Sequence, residues 1–131
     1  MEKKTRKALE EPHGVHILKI QPEYFRAQAE GKKNFEIREN DRNFNVGDEL
    51  WLREYDPKAE AYTENSLVVK VTYITSYMQQ ENYVVLGTKL EAFVCSRCHD
   101  ECEPEETTKL SNGEYICDFC KFILKEDEQQ C

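Results

Sequence analysis

Residues 31–40 read GKKNFEIREN, in which Lys32, Lys33, Glu36, Arg38 and Glu39 surround only two apolar side chains, Phe35 and Ile37. As a strand, the stretch alternates: Phe35 and Ile37 fall on one face, and Asn34, Glu36, Arg38 and Asn40 on the other. Such a polar face is either the solvated side of an antiparallel sheet or the lining of a site. Read as a lining, Phe35 and Ile37 anchor the strand from behind while Lys33, Glu36 and Arg38 point into a cleft. Lys33 sits at the turn, where alternation does not fix its face, yet it is close enough to approach Glu36. A Lys–Glu pair in a cleft keeps both groups charged, and Arg38 offers a planar fork for a phosphate or a base edge. Asn40, Asp41 and Arg42 add donors and acceptors on the following loop.

Upstream, HGVHILKI offers Val15 and Ile17, then Leu18 and Ile20, for a buried strand. QPEYFRAQAEG predicts a short helix: Pro22 suits its first position, Glu23 its positive end and Gly31 its C-terminal cap. Downstream, NVGD turns into ELWLREY, where Leu50 and Leu52 alternate with Trp51, Arg53 and Tyr55. A polar loop, DPKAEAYTENS, leads to LVVKVTYIT, and ENYVVLGT closes the set. Five short strands and one early helix suggest an α+β, mostly β domain: a small, mostly β barrel or an α+β sheet. Tyr24, Phe25, Trp51, Tyr55 and Tyr83 are the aromatics available to stack a base, although aromatics more often fill cores. His16, at the start of the first strand, reads as a satisfied structural residue or a cleft residue.

The chain has 131 residues and a net charge of −8. That balance argues against gripping duplex DNA through bulk charge. Its opening, MEKKTRKALEEPHG, lacks a signal peptide's apolar run and reads as a flexible leader over residues 1–14. Apolar runs such as LVV and YVVL are too short to cross a membrane. A soluble, cytoplasmic protein is expected.

All six cysteines follow residue 94, and the charge shifts with them. Residues 1–90 carry 15 acidic and 14 basic side chains, whereas residues 91–131 carry 11 acidic and 4 basic. A main domain over residues 15–90, able to fold alone, and a finger over residues 91–131 are therefore expected. CSRC at 95–98 and CDFC at 117–120 are paired knuckles, and Cys95, Cys98, Cys117 and Cys120 make a thiolate set suited to one structural Zn²⁺. A redox dithiol or two unrelated reduced pairs are the alternatives, but a tail this short has too little core to fold unaided. SNGEY makes a hairpin turn and KFILKEDEQQ a closing helix, in treble-clef or ribbon order. His99 and Cys102 are spare ligands near the first knuckle, and terminal Cys131 is expected to be free. The finger's acidity suits a structural cap or a protein-docking surface better than nucleic acid.

With these pieces assembled, Gly31, Lys33, Glu36 and Arg38 meet the pattern G-x-K-x-x-E-x-R just after a P-E-Y-F helix. ENDRNFNVGDELWLREYDP, a YT-containing loop, VVKVTYI and NYVVLG follow in order. From His16 to Thr88 the chain resembles an ASCH domain of the PUA-like superfamily, in the small form common in phages and bacteria. The resemblance implies a PUA-like β-barrel with a cleft beside the motif that binds RNA or a modified nucleoside or nucleotide. Some such domains are amidohydrolases that remove an acyl group from the N4 amine of cytidine, using a lysine, a threonine and a glutamate. Lys33 matches that lysine, but Glu36 stands at the threonine position. Binding is therefore the leading expectation, and catalysis by Lys33 and Glu36 the alternative. A phage-type interaction factor docking through the acidic finger is a third reading.

Overall fold

The computed structural model describes the backbone of residues 14–130 and the side chains of residues 14–124. The expected leader and Cys131 lie outside the described residues, apart from Gly14. Strand β1 (Val15–Ile20) leads into helix α1 (Pro22–Ala29), followed by β2 (Phe35–Glu39), β3 (Glu49–Asp56), β4 (Ala61–Thr75) and β5 (Tyr83–Val94). The cysteine region adds β6 (Glu101–Cys102), a 3₁₀ turn (Pro104–Glu106), the hairpin β7 (Thr107–Lys109) and β8 (Tyr115–Cys117), and helix α2 (Asp118–Gln130). The protein is mostly β, as expected.

Strand order in the main sheet is β1-β3-β4-β5-β2, with β6 added to the far end of β5. β1 runs parallel to β3, and every other pairing is antiparallel. The long β4 and β5 strands bend because their register shifts between Val68 and Val69 and between Val71 and Tyr73. Such irregularities raise local twist, so the sheet curls into a half-barrel. Its concave face holds one core of Leu18, Ile20, Phe25, Leu50, Leu52, Leu67, Val69, Val71, Val84 and Leu86. Outside, Trp51 packs on a smaller cluster of Val68, Ala92 and Val94.

Helix α1 follows its local signals. Pro22 occupies the first turn and Glu23 sits at the positive end. Gly31 takes φ +77°, a conformation that suits glycine, and the next two amides, of Lys32 and Lys33, both bond Ala27 O. That turn delivers the chain into β2.

In β1 only two of the four apolar residues turn inward, and in β2 the polar face is the inward one. In β1, Leu18 and Ile20 are buried, whereas Val15 and Ile17 are 55% and 56% exposed. In β2, Phe35 and Ile37 are 40% and 53% exposed while Glu36 is only 3% exposed. The alternation holds in both strands. What decides the side is the curl, which turns the Glu36 face toward the concave interior.

The expected boundary at residues 90/91 falls inside β5, which continues to Val94. Phe93, Cys95, Cys102, Tyr115 and Ile116 all join the core of the main sheet. The stacked rings of Phe93 and Tyr115, 5.1 Å apart, and the edge contact of Tyr115 with Phe25 tie the finger to α1 and β5. Asn65 on β4 adds a polar staple: its Nδ2 donates to Gly113 O and its Oδ1 accepts from Tyr115 N. The finger differs from the rest in composition, but the two share one interior.

Asp48, 2% exposed, organises the turn before β3. Its carboxylate accepts from Gly14 N, Asn45 N and, at 2.8 Å, His16 Nε2. Burial pushes its pKa up, but the bonds from His16, Asn45 and Gly14 outweigh burial and hold it below the ordinary 3.8. A depressed folded-state pKa contributes stability that is present above the unfolded value and lost as pH falls through the folded one. Urea midpoints of the wild type should therefore fall as pH drops from 5 to below about 3.8. Asp48→Asn should flatten the part of that slope due to Asp48 and cost about 2–3 kcal/mol at neutral pH, because two amides and His16 lose a charged acceptor.

Candidate functional site

Strands β1 and β2 are the two edges of the curled sheet, and the seam between them is the cleft. Its volume is about 460 Å³, lined by Lys19, Ile20, Gln21, Tyr24, Lys33, Phe35, Glu36, Ile37 and Arg38. Arg38 reaches across it, its Nη2 donating to Lys19 O at 3.0 Å. Arg42 does the same one register away, from Nη1 to Ile17 O at 3.3 Å. Two guanidinium groups thus satisfy carbonyls that edge strand β1 would otherwise leave unpaired.

At the floor lies Glu36. Oε1 accepts from Nε and Nη2 of Arg38 at 3.1 and 2.9 Å. Oε2 accepts from Lys33 Nζ and, at 2.9 Å, from Gln28 Nε2. Lys33 also donates to Phe35 O and lies within reach of the Tyr24 and Phe35 rings, 5.6 and 5.0 Å from their centroids. The sequence motif therefore does converge, but with a different division of labour. Glu36 is a buried anion that positions two cations, and the exposed Phe35 ring is a wall of the cleft instead of an anchor behind it.

Asn40, Asp41 and Arg42 do not line the cleft. Asn40 Oδ1 caps the turn by accepting from Phe44 N, Asp41 is exposed, and Arg42 serves the seam. Of the five aromatics singled out, only Tyr24 lines it. Phe25 is core, Trp51 packs outside, Tyr55 meets Tyr62 and lies under Lys19 Nζ, and Tyr83 is 38% exposed on β5. His16 is structural, paired with Asp48 and edge-on to Phe44. Sequence reasoning missed Gln28, whose signal was a polar residue on the apolar face of α1.

Removing the carboxylate would strand two cations at the cleft floor. Breaking a buried pair costs about 3–5 kcal/mol, and partial exposure of Lys33 and Arg38, at 16% and 23%, lowers that cost here. Glu36→Ala is expected to destabilise by about 2–3 kcal/mol in chemical denaturation, and Glu36→Gln by less, since an amide oxygen still accepts from Arg38.

The second constellation is the cluster of Cys95, Cys98, Cys117 and Cys120, whose sulfurs all lie within 4.8 Å of one another. They could hold a metal ion. Tetrahedral thiolates around a metal at about 2.3 Å stand roughly 3.8 Å apart, and Cys98 and Cys117 Sγ are 3.8 Å apart. Amides of Arg97, Cys98 and Cys117 each approach Cys95 Sγ at 3.4 Å. Burial opposes ionisation of Cys95, but these amides prevail and bring the thiol down to about 6. Burial and the neighbouring sulfurs push Cys120 up. The expected spare ligands are not in the cluster. Cys102 is buried, with its sulfur 3.1 Å from Thr107 Oγ1, and His99 is exposed beside Glu64. No helix among the described residues is long and apolar enough to cross a membrane.

Over 73 residues the chain is 34% identical to the uncharacterized 12.9 kDa protein in the GpA 3′ region of Escherichia phage P2. That match takes in 55% of this chain and 65% of the phage protein, just under two thirds of its length. The family model described as Domain of unknown function (DUF3850) matches residues 15–88, from the start of β1 into β5 and across every residue of the seam cleft. The chain belongs to that family.

Proposed function

We propose that this protein is a binding module for RNA or a modified nucleoside or nucleotide, acting through the seam cleft of an ASCH-type, PUA-like half-barrel. One observation carries the reading: Lys33 and Arg38 converge on a cleft walled by the Tyr24 and Phe35 rings. Single-stranded nucleic acids and their bases are held by aromatic faces together with cationic donors. Amidohydrolase chemistry fits less well, because a general acid or base needs a free position toward the substrate. Glu36 already accepts four hydrogen bonds. Titration calorimetry with a single-stranded RNA and with cytidine nucleosides, N4-acetylcytidine included, tests the choice. Binding that weakens about tenfold in Arg38→Ala is expected, in line with loss of one charge-assisted contact. Absence of binding to every probe would overturn the reading, and acetate release from N4-acetylcytidine would move it to the enzyme.

For the finger we infer a structural Zn²⁺, one per chain, since four thiolates suit zinc and disfavour the hard oxygen-seeking cations. A protein partner at the acidic finger is supported by Phe119, Phe122 and Ile123, exposed together on helix α2.

A further inference from the structure

The valences that the cleft leaves open specify more than a nucleic-acid class. A carboxylate has about four lone-pair positions, and Glu36 uses its two oxygens for four incoming bonds. It has nothing left for a ligand's amine. Arg38 has five N–H groups. Nε and one Nη2 hydrogen go to Glu36, and the other Nη2 hydrogen goes to Lys19 O. Both Nη1 hydrogens lack a partner among the described residues. Lys33 has three N–H groups; Phe35 O and Glu36 take two, and the third is open. The charged trio thus offers three donors and no acceptor, with formal charges that sum to +1. Gln21 and Tyr24, at the rim, carry polar groups of either sense, so the floor decides the preference.

We propose that the cleft recognises a nucleoside monophosphate: the phosphate sits against Arg38 Nη1 and Lys33 Nζ, and the base lies on the Tyr24 and Phe35 rings. This rests on the nucleotide-binding reading and sharpens it, since a neutral nucleoside would leave the open cationic donors facing only water. A phosphate takes several charge-assisted bonds from one guanidinium edge and one ammonium. The volume, about 460 Å³, lies within the range of small-ligand sites. Glu36 acts as a positioning residue that holds both cations toward the opening.

The experiment compares calorimetric titrations of the full chain with the four common nucleosides, their 5′-monophosphates, inorganic phosphate and a single-stranded RNA. At least one monophosphate should bind about tenfold or more tightly than its nucleoside and than inorganic phosphate. Arg38→Ala should remove the advantage of the monophosphate over the nucleoside. Tyr24→Ala, at a surface ring, should weaken the monophosphate while leaving that ratio in place. Equal binding of nucleoside and monophosphate would overturn the phosphate assignment and leave nucleoside binding standing. RNA binding with no monophosphate binding would also overturn it, with the broader reading intact. If neither RNA, nor any nucleoside, nor any mononucleotide bound, both would fall.

Discussion

A chain ended after Lys89 is expected not to fold. The cut falls inside β5 and removes the partners of Ser66, Leu67 and Val68 on β4, which pair with Val94, Phe93 and Ala92. It also strips Phe93, Cys95, Cys102, Tyr115 and Ile116 from the interior. Burying a large apolar side chain contributes about 1.5–3 kcal/mol. Phe93, Tyr115 and Ile116 alone amount to about 4.5–9 kcal/mol, comparable with the whole stability of a domain, about 5–15 kcal/mol. Phe25 loses its contact with Tyr115, which loosens α1, and α1 supplies Tyr24 to the cleft and the buried Gln28 to Glu36. The truncated chain should be insoluble or lack a cooperative melt, in contrast to the full chain. A soluble fragment of residues 15–89 with a sharp transition would show that the shared core is dispensable. The family match ends at residue 88, inside β5.

Much of the architecture was legible because its determinants are local. Pro22, Glu23 and Gly31 mark helix α1 by the conformations and charges that a helix's ends favour. The paired C-x-x-C spacing brings two sulfurs together in each knuckle before any long-range contact forms. Alternation alone left open which face of β2 turns inward. The expectation that Glu36 and Arg38 line a cleft came from their motif, and the partners that bury Glu36 were not legible. Alternation separates Phe35 and Ile37 from Glu36 and Arg38, and ordinarily the apolar pair would be buried. Here the inward position of Glu36 depends on Gln28 from α1, on Lys33 across the turn, and on Arg38, which is itself tied to the Lys19 carbonyl of β1. None of these partners is chosen by β2 alone. A buried carboxylate is tolerated only when such partners arrive together, so the placement is a property of the closed seam. The same reasoning explains the boundary. A change in charge marks where composition shifts, but a shared core is set by the strand register that carries β5 on to Val94.

The last large effect expected is at the cysteines, where two buried thiols should behave very differently. Cys95 and Cys102 are 0% and 7% exposed, and both contact the core. Cys95 belongs to the four-sulfur cluster, whereas Cys102 lies outside it, beside Thr107 Oγ1 and Phe93 O. Replacing Cys102 by serine keeps a hydrogen-bonding group in nearly the same volume and should cost about 1–2 kcal/mol, with metal content unchanged. Cys95→Ser removes one of four ligands and the sulfur to which three amides point. Structural zinc contributes about 10–16 kcal/mol of binding free energy to a small finger. Forfeiting even a third of that would lower the melting temperature by about 10 °C or more in a chain of this size. Because Tyr115 and Ile116 sit just before Cys117, loss of the metal should loosen the main core as well. One cooperative transition should therefore shift as a whole, instead of a finger melting separately. Metal analysis and calorimetry on wild type, Cys95→Ser and Cys102→Ser, each with and without a chelator, provide the measurement. Wild type should carry one metal ion per chain and lose stability on chelation, Cys102→Ser should follow it, and Cys95→Ser should start metal-free and already destabilised. A Cys95→Ser protein that melts like the wild type would mean that the four thiols pack without a metal.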